Sequence, residues 1–143
     1  MDTNNQTLKT ERRRKFGMLL VEACLAFLLY LALAIVITWP LLPNINDEVI
    51  GHPALSARVH LWQFWWTKYA LFTDGEKLSW CYFLNYPEGV NTVVKFGSYL
   101  FPLAGMPFHC AFGLVAGYNA TLLCFIAATG VAAYLLCRRF VSN

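Results

Sequence analysis

The chain has 143 residues, of which 58% are hydrophobic and 13% charged, and its formal net charge is +3. Soluble domains carry about 25% charged residues, so this composition excludes an ordinary soluble domain, and 16% aromatic residues exclude a disordered chain. Most of the positive charge lies in one short tail, which argues against a nucleic-acid partner. The composition indicates a membrane protein.

A basic tail precedes a long apolar run. Residues 1–15 carry five basic and two acidic side chains, and residues 16–42 are apolar except for Glu22. About 20 apolar residues cross a bilayer, and cations mark the cytoplasmic end of a span. We predict a cytoplasmic tail over 1–15 and a membrane helix over 16–42. The alternative is a secretory signal peptide, whose apolar core is only about 7–15 residues long.

Glu22 is a carboxylate within this first span. A charge inside a membrane is costly and is by default a functional candidate. The residue lies about two turns from the basic flank. It therefore either snorkels to the interface, pairs with a basic residue one turn earlier, or contacts a partner helix.

The predicted outer loop covers residues 43–95, with four basic and five acidic residues. Apolar residues at steps of three and four within it predict an amphipathic interfacial helix over 54–72, which Thr73-Asp74-Gly75 closes. Tyr86-Pro87-Glu88-Gly89 predicts a turn, with proline second and glycine fourth. A disulfide between Cys81 and Cys110 is left open, although nothing else resembles a disulfide scaffold.

Two more apolar segments follow the loop. Residues 96–117 contain prolines and glycines and predict a broken helix, interfacial or re-entrant. A third crossing there would leave Arg138-Arg139 outside, which makes it the weaker alternative. Residues 118–137 predict the second membrane helix, with Asn119 as its N-cap, and residues 138–143 its cytoplasmic end. The predicted fold class is an all-α membrane protein, with two transmembrane helices flanking an outer loop that carries amphipathic interfacial helices.

An acidic pair follows the first span. Asp47 and Glu48 lie five to six residues past its end, at the outer membrane surface. Such a pair suits a general base or a ligand to a divalent cation. The alternative is a solvated loop with a turn over residues 44–47.

Basic and aromatic residues cluster in the predicted interfacial helix. Arginine offers a planar fork and histidine a switchable donor for a phosphate, and tryptophan faces can stack on sugars. The candidate substrate-binding residues are Arg58, His60, Trp62, Trp65 and Trp66, with His52 nearby in the sequence. An interfacial aromatic belt with ordinary basic neighbours is the alternative, and Lys68 suits a headgroup contact. His109, in the broken helix, suits a hydrogen-bonded structural role, and the sequence predicts no metal site.

The order of these segments resembles the N-terminal part of bacterial membrane glycosyltransferases of the GT-C fold. The resemblance covers roughly residues 20–140. It is carried by Thr38-Trp39-Pro40-Leu41, His60-Leu61-Trp62-Gln63-Phe64-Trp65-Trp66, Asn85-Tyr86-Pro87-Glu88-Gly89-Val90, and Pro107 through Phe112-Gly113 to Gly117-Tyr118-Asn119.

The resemblance implies an enzyme of the bacterial inner membrane that transfers a sugar from a polyprenyl-phosphate donor at the outer face. It also implies that a first-loop acid acts as base, and Asp47-Glu48 stands where many members carry an acidic pair. Relatives with the Trp-x-x-Trp-Trp segment show aspartate six residues before its first tryptophan, where this chain has Ser56. Family members have many more spans, so the resemblance implies a fragment or a small subunit that needs further spans or a partner subunit.

Three functions follow as hypotheses. In the first, Asp47 deprotonates an acceptor hydroxyl while Arg58 and His60 stabilise the leaving phosphate. Its partners are membrane lipids and a polyprenyl-phosphate sugar, and a divalent cation is left open as cofactor. The second is a non-catalytic two-span subunit for assembly or lipid binding, which Ser56 and the short length favour. The third is a transporter fragment, suggested by the interrupted segment 96–117.

Overall fold

The computed structural model describes residues 2–51, 56–73, 76–97 and 99–141, and most of these residues are helical. Two compact units make up the chain, Met1–Ile37 with Leu123–Asn143 and, separately, Thr38–Leu122. The elements in chain order are helix α1 (Asp2–Ile37), a 3-10 helix (Trp39–Asn44), α2 (Ser56–Phe72), strands β1 (Trp80–Cys81) and β2 (Val90–Asn91), and helices α3 (Thr92–Phe96), α4 (Leu100–Ala104), α5 (Met106–Phe112) and α6 (Leu114–Val141).

Two of these helices are long and apolar enough to cross a membrane, as the composition predicts. They are Glu11–Ile37 of α1 and Leu114–Val141, and only 6% and 17% of their most apolar windows are buried. Large side chains of α1 such as Leu25, Leu29 and Val36 are more than half exposed. The core helix of a soluble protein would be mostly buried, so this exposure is what a lipid-facing surface requires.

Within the first unit, α1 packs antiparallel against the end of α6. Glu22 forms an ion pair with Arg138, and a Cβ added to Gly130 would lie 2.6 Å from the ring of Tyr30. The basic partner of Glu22 therefore comes from the other helix rather than from the preceding turn. Both charged side chains are about 40% exposed, so their attraction in water is weak.

The ends of the long helices differ from the prediction. The first α-helix ends at Ile37 rather than at 42, because prolines at 40 and 43 lack the backbone N–H that an α-helix needs. The last helix begins at Leu114 rather than at 118, directly after Gly113. Gly113 has a φ of +87° and ends α5, a conformation that favours glycine. Asn119 therefore lies inside α6, and its prediction as N-cap is wrong.

The segment between the long helices is helical and broken, with one feature that helical periodicity does not predict. Strands β1 and β2 pair antiparallel, with Trp80 opposite Asn91 and Cys81 opposite Val90. The N–H of Gly89 donates to the carbonyl of Asn85 across 2.9 Å, so the connecting turn is one residue wider than predicted. Helix α2 is described from Ser56 onward. The predicted start at residue 54 lies outside the described residues.

Helix α2 forms the centre of the second unit. Trp66 is fully buried with Ala70, Cys81 and Tyr99 in one cluster. Cys81 and Cys110 are both free thiols. On another side of the helix a second, aromatic cluster forms around a fully buried ring, Phe64, which packs edge-on against Phe101 (5.2 Å) and Tyr118 (5.7 Å). This packing joins α2 to α4 and to the start of α6.

Candidate functional site

The acidic segment after the 3-10 helix is held by one buried amide side chain. Asn119 is fully buried, and its Nδ2 donates to the carbonyls of Ile45 (2.9 Å) and Glu48 (2.7 Å). Its Oδ1 accepts from the N–H of Ile50 at 3.1 Å. The Tyr118 hydroxyl donates to the Ile50 carbonyl at 3.2 Å. A single helical turn of α6 thus determines the backbone course of residues 45–50.

Both acidic side chains point away from this clamp. Asp47 and Glu48 are exposed, and their N–H groups donate to the carbonyl of Asn44 at 2.9 Å. The turn over 44–47 is therefore present. The Glu48 carboxylate accepts from Asn44 Nδ2 at 3.1 Å, whereas the Asp47 carboxylate has no hydrogen-bond partner within the described ranges. Of the two carboxylates, that of Asp47 is therefore the less restrained.

His60 is oriented by a buried glutamine. Gln63 is 2% exposed, and its Nε2 donates to the carbonyl of Phe96 at 3.3 Å. Its Oε1 then accepts from Nδ1–H of His60 at 3.0 Å. In the neutral ring this leaves the Nε2 lone pair as an acceptor, which becomes a second donor on protonation. Gln63 therefore fixes both the tautomer and the direction of the ring.

The three tryptophans of the predicted binding cluster have different environments. Trp66 is fully buried, and its indole N–H donates to the carbonyl of Leu78 at 3.1 Å. It belongs to the core and has no face for a ligand, which corrects its assignment to the substrate site. Trp62 is partly buried between Trp66 and Phe96. Trp65 is 39% exposed and offers part of its surface to a ligand.

No family model, curated protein or solved structure matches this chain. The candidate site consequently rests on the arrangement of its own residues.

The clamp brings the acidic segment to the start of α2. A Cβ added to Gly51 would lie 3.4 Å from Cβ of Ala57, the residue before Arg58, and Arg58 itself is exposed. Gly51, three residues after Glu48, thus lies close to the first turn of α2, which carries Arg58. His52 lies outside the described residues. Within the described ranges no three histidine, cysteine or acidic residues come together as a metal site.

Sequence reasoning missed two residues that organise this site, Asn119 as a clamp and Gln63 as the support of His60. Both are polar residues within apolar helical runs. A polar side chain in such a run must find a hydrogen-bond partner when it is buried. That requirement is the signal that a sequence offers, although it does not name the partner.

Proposed function

We propose that this chain is the amino-terminal part of a membrane glycosyltransferase that uses a polyprenyl-phosphate sugar donor. The support is the Asn119 clamp, which holds an exposed acidic turn that follows the 3-10 helix after a helix able to cross a membrane. A catalytic base must be held at a fixed place relative to its substrate. The clamp supplies that restraint to the backbone on both sides of Asp47.

In the proposed reaction, Asp47 takes the proton from an acceptor hydroxyl as its oxygen attacks the anomeric carbon of the donor. The bond between that carbon and the phosphate oxygen breaks, and polyprenyl phosphate leaves with the electron pair. Arg58 and His60 stabilise its growing negative charge. Trp65 and the exposed side of Trp62 pack against the sugar or the lipid.

The proposed location is the bacterial inner membrane, with residues 43–95 on the non-cytoplasmic side. The support is the distribution of charge, since basic residues flank the ends of both long helices that lie away from the loop, before residue 16 and at Arg138-Arg139, and cations mark cytoplasmic ends. Further spans or a partner subunit complete the enclosure of the donor. The exposed apolar surface of α1 suits such neighbours as well as lipid.

The experiment compares Asp47→Asn with Glu88→Gln, a matched change at an exposed acid of the same segment. Each variant is expressed from the native gene, so that any accompanying segments are present. Washed membranes receive a panel of polyprenyl-phosphate sugars, and release of polyprenyl phosphate is measured by chromatography. Removing a general base costs about 100-fold or more in rate. We expect that loss for Asp47→Asn and unchanged release for Glu88→Gln.

Glu48→Gln tests the division of roles between the two acids. Its carboxylate already accepts a hydrogen bond from Asn44, and glutamine can keep that bond. We expect a much smaller loss than for Asp47→Asn. Full release by Asp47→Asn would refute the assignment of the base.

A second candidate is a non-catalytic two-span subunit for assembly or lipid binding. One observation favours it. Trp66 and Phe64, two members of the segment that carries the resemblance, are fully buried, so that segment is partly a packing motif. If the chain is such a subunit, we expect Asp47→Asn to leave the protein's complexes unchanged on native gels and Phe64→Ala to disrupt them.

A further inference from the structure

One pocket of the second unit shares Trp65 with the proposed substrate site, and its other lining residues have no part in the proposed reaction. It has a volume of about 360 Å³ and is lined by Trp65, Lys68, Tyr69 and Phe72 of α2 and by His109 of α5. The four α2 residues recur at steps of three and four, so they form one stripe of the helix. Trp65 and Phe72 are 39% and 69% exposed, which places apolar surface at the rim.

His109 distinguishes this pocket from an ordinary interfacial helix face, on which aromatic residues and a lysine reach toward the membrane surface. The side chain is only 5% exposed, and its Nδ1 has no hydrogen-bond partner among the described residues. A buried polar atom without a partner is costly, and native proteins contain few of them. Since His109 also lines the pocket, a polar group bound there would lie beside this ring.

Lys68 of α2 and His109 of α5 line the same pocket. The pKa of His109 lies below its ordinary value, first because of burial and second because of the positive charge of Lys68, while a hydrogen bond with the backbone of Phe64 acts in the opposite direction. The imidazole is therefore neutral near pH 7, and the pocket carries one positive charge from the lysine. Lys68 supplies one positive charge, and the neutral imidazole of His109 can donate or accept a hydrogen bond. The remaining lining residues are aromatic. This combination suits an anionic group that is attached to an apolar chain.

We propose that this pocket binds the phosphate of a membrane phospholipid, with the phosphate against Lys68 and His109 and the adjoining chain against Trp65 and Phe72. The apolar rim favours a lipid over free inorganic phosphate, because a free anion gains nothing from exposed aromatic rings. This site shares Trp65 with the proposed transferase site but does not use Asp47, Arg58 or His60, so binding of a phospholipid here does not require transferase activity. Bound lipid would hold α2 in the interface plane.

The test measures how fast Lys68 is methylated, with Lys77 as an internal control. Lys77 is an exposed lysine of the same unit and does not line this pocket. The full chain is placed in micelles of a maltoside detergent, which carries no phosphate, with either phosphatidic acid or diacylglycerol added, and each lysine is quantified by mass spectrometry. A third sample contains diacylglycerol with inorganic phosphate in solution. Phosphatidic acid at about five times its Kd should slow Lys68 about sixfold, from the factor 1 + [L]/Kd.

The proposal requires protection of Lys68 by phosphatidic acid with Lys77 unchanged. His109→Gln should reduce that protection severalfold while circular dichroism shows unchanged helix content. Equal slowing of both lysines would mean a general surface-charge effect and would overturn the proposal. Protection by diacylglycerol, or equally by inorganic phosphate, would overturn the assignment to a phospholipid. Absence of protection in the wild type would overturn it without any variant.

Discussion

Substitution of Asn119 by alanine is expected to release the acidic turn. The change removes three hydrogen bonds, to the carbonyls of Ile45 and Glu48 and from the N–H of Ile50. A hydrogen bond contributes about 1 kcal/mol net, so the turn should lose about 3 kcal/mol of local stability. Since about 1.4 kcal/mol corresponds to a factor of ten, opening of this segment should become roughly a hundredfold more frequent.

Hydrogen exchange of the Ile50 amide in detergent micelles measures this opening directly, because that N–H donates to the Asn119 side chain. We expect exchange to be roughly a hundredfold faster in Asn119→Ala, with the middle of α6 unchanged. Asn46→Ala is the matched control, since Asn46 is exposed in the same segment. It should exchange like the wild type.

A second variant separates donor from acceptor. Asn119→Asp keeps an oxygen for the Ile50 N–H but faces the carbonyls of Ile45 and Glu48 with a carboxylate. Repulsion between these oxygens and the burial of charge should make it at least as disruptive as alanine. If Ile50 exchanged within threefold of the wild-type rate in both variants, the clamp would not hold the turn, and the support for Asp47 as a positioned base would fail.

Two further outcomes follow from the second unit. Gly117→Ala should lower stability by about 1–3 kcal/mol, because the new Cβ would lie 2.6 Å from Cα of His109. Thermal unfolding in detergent should show a lower Tm than for Gly17→Ala, where nothing lies within 4 Å, and equal Tm values would contradict this. Burial, and then the charge of Lys68, lower the His109 pKa below its ordinary 6.5, so its contribution to stability should be complete above pH 6.5 and decline as pH falls below it. His109→Gln should lose this part of the pH dependence, and identical pH profiles for variant and wild type would refute the assignment.

Much of the second unit follows from local sequence signals. The amphipathic periodicity from Leu55 to Tyr69 predicts α2, which is observed over Ser56–Phe72. Glycines and prolines predict the breaks that separate α4, α5 and α6. These breaks can be predicted because the end of a helix depends on residues that are close together in the sequence, such as a proline without a backbone N–H.

The candidate site was predicted only in part. The turn over 44–47, which belongs to the alternative interpretation of a solvated loop, is observed, and Trp65 is 39% exposed. Trp66 lies in the core, although it is adjacent in sequence and identical in type. Periodicity distinguishes the apolar arc of a helix from its polar side. It does not say which residues of a wide apolar arc pack against strands β1 and β2 and which remain exposed.

Composition and the order of residues by themselves determine that this chain has two long apolar helices around a mixed, mostly helical segment, because the hydrophobicity of a run depends on its own side chains alone. Only the tertiary structure decides that Asn119 clamps the acidic turn and that the buried His109 lines the same pocket as Lys68. Each of these arrangements joins residues about 40 to 75 positions apart. Hydrogen bonding and burial depend on distance in space, which the local pattern of a sequence does not contain.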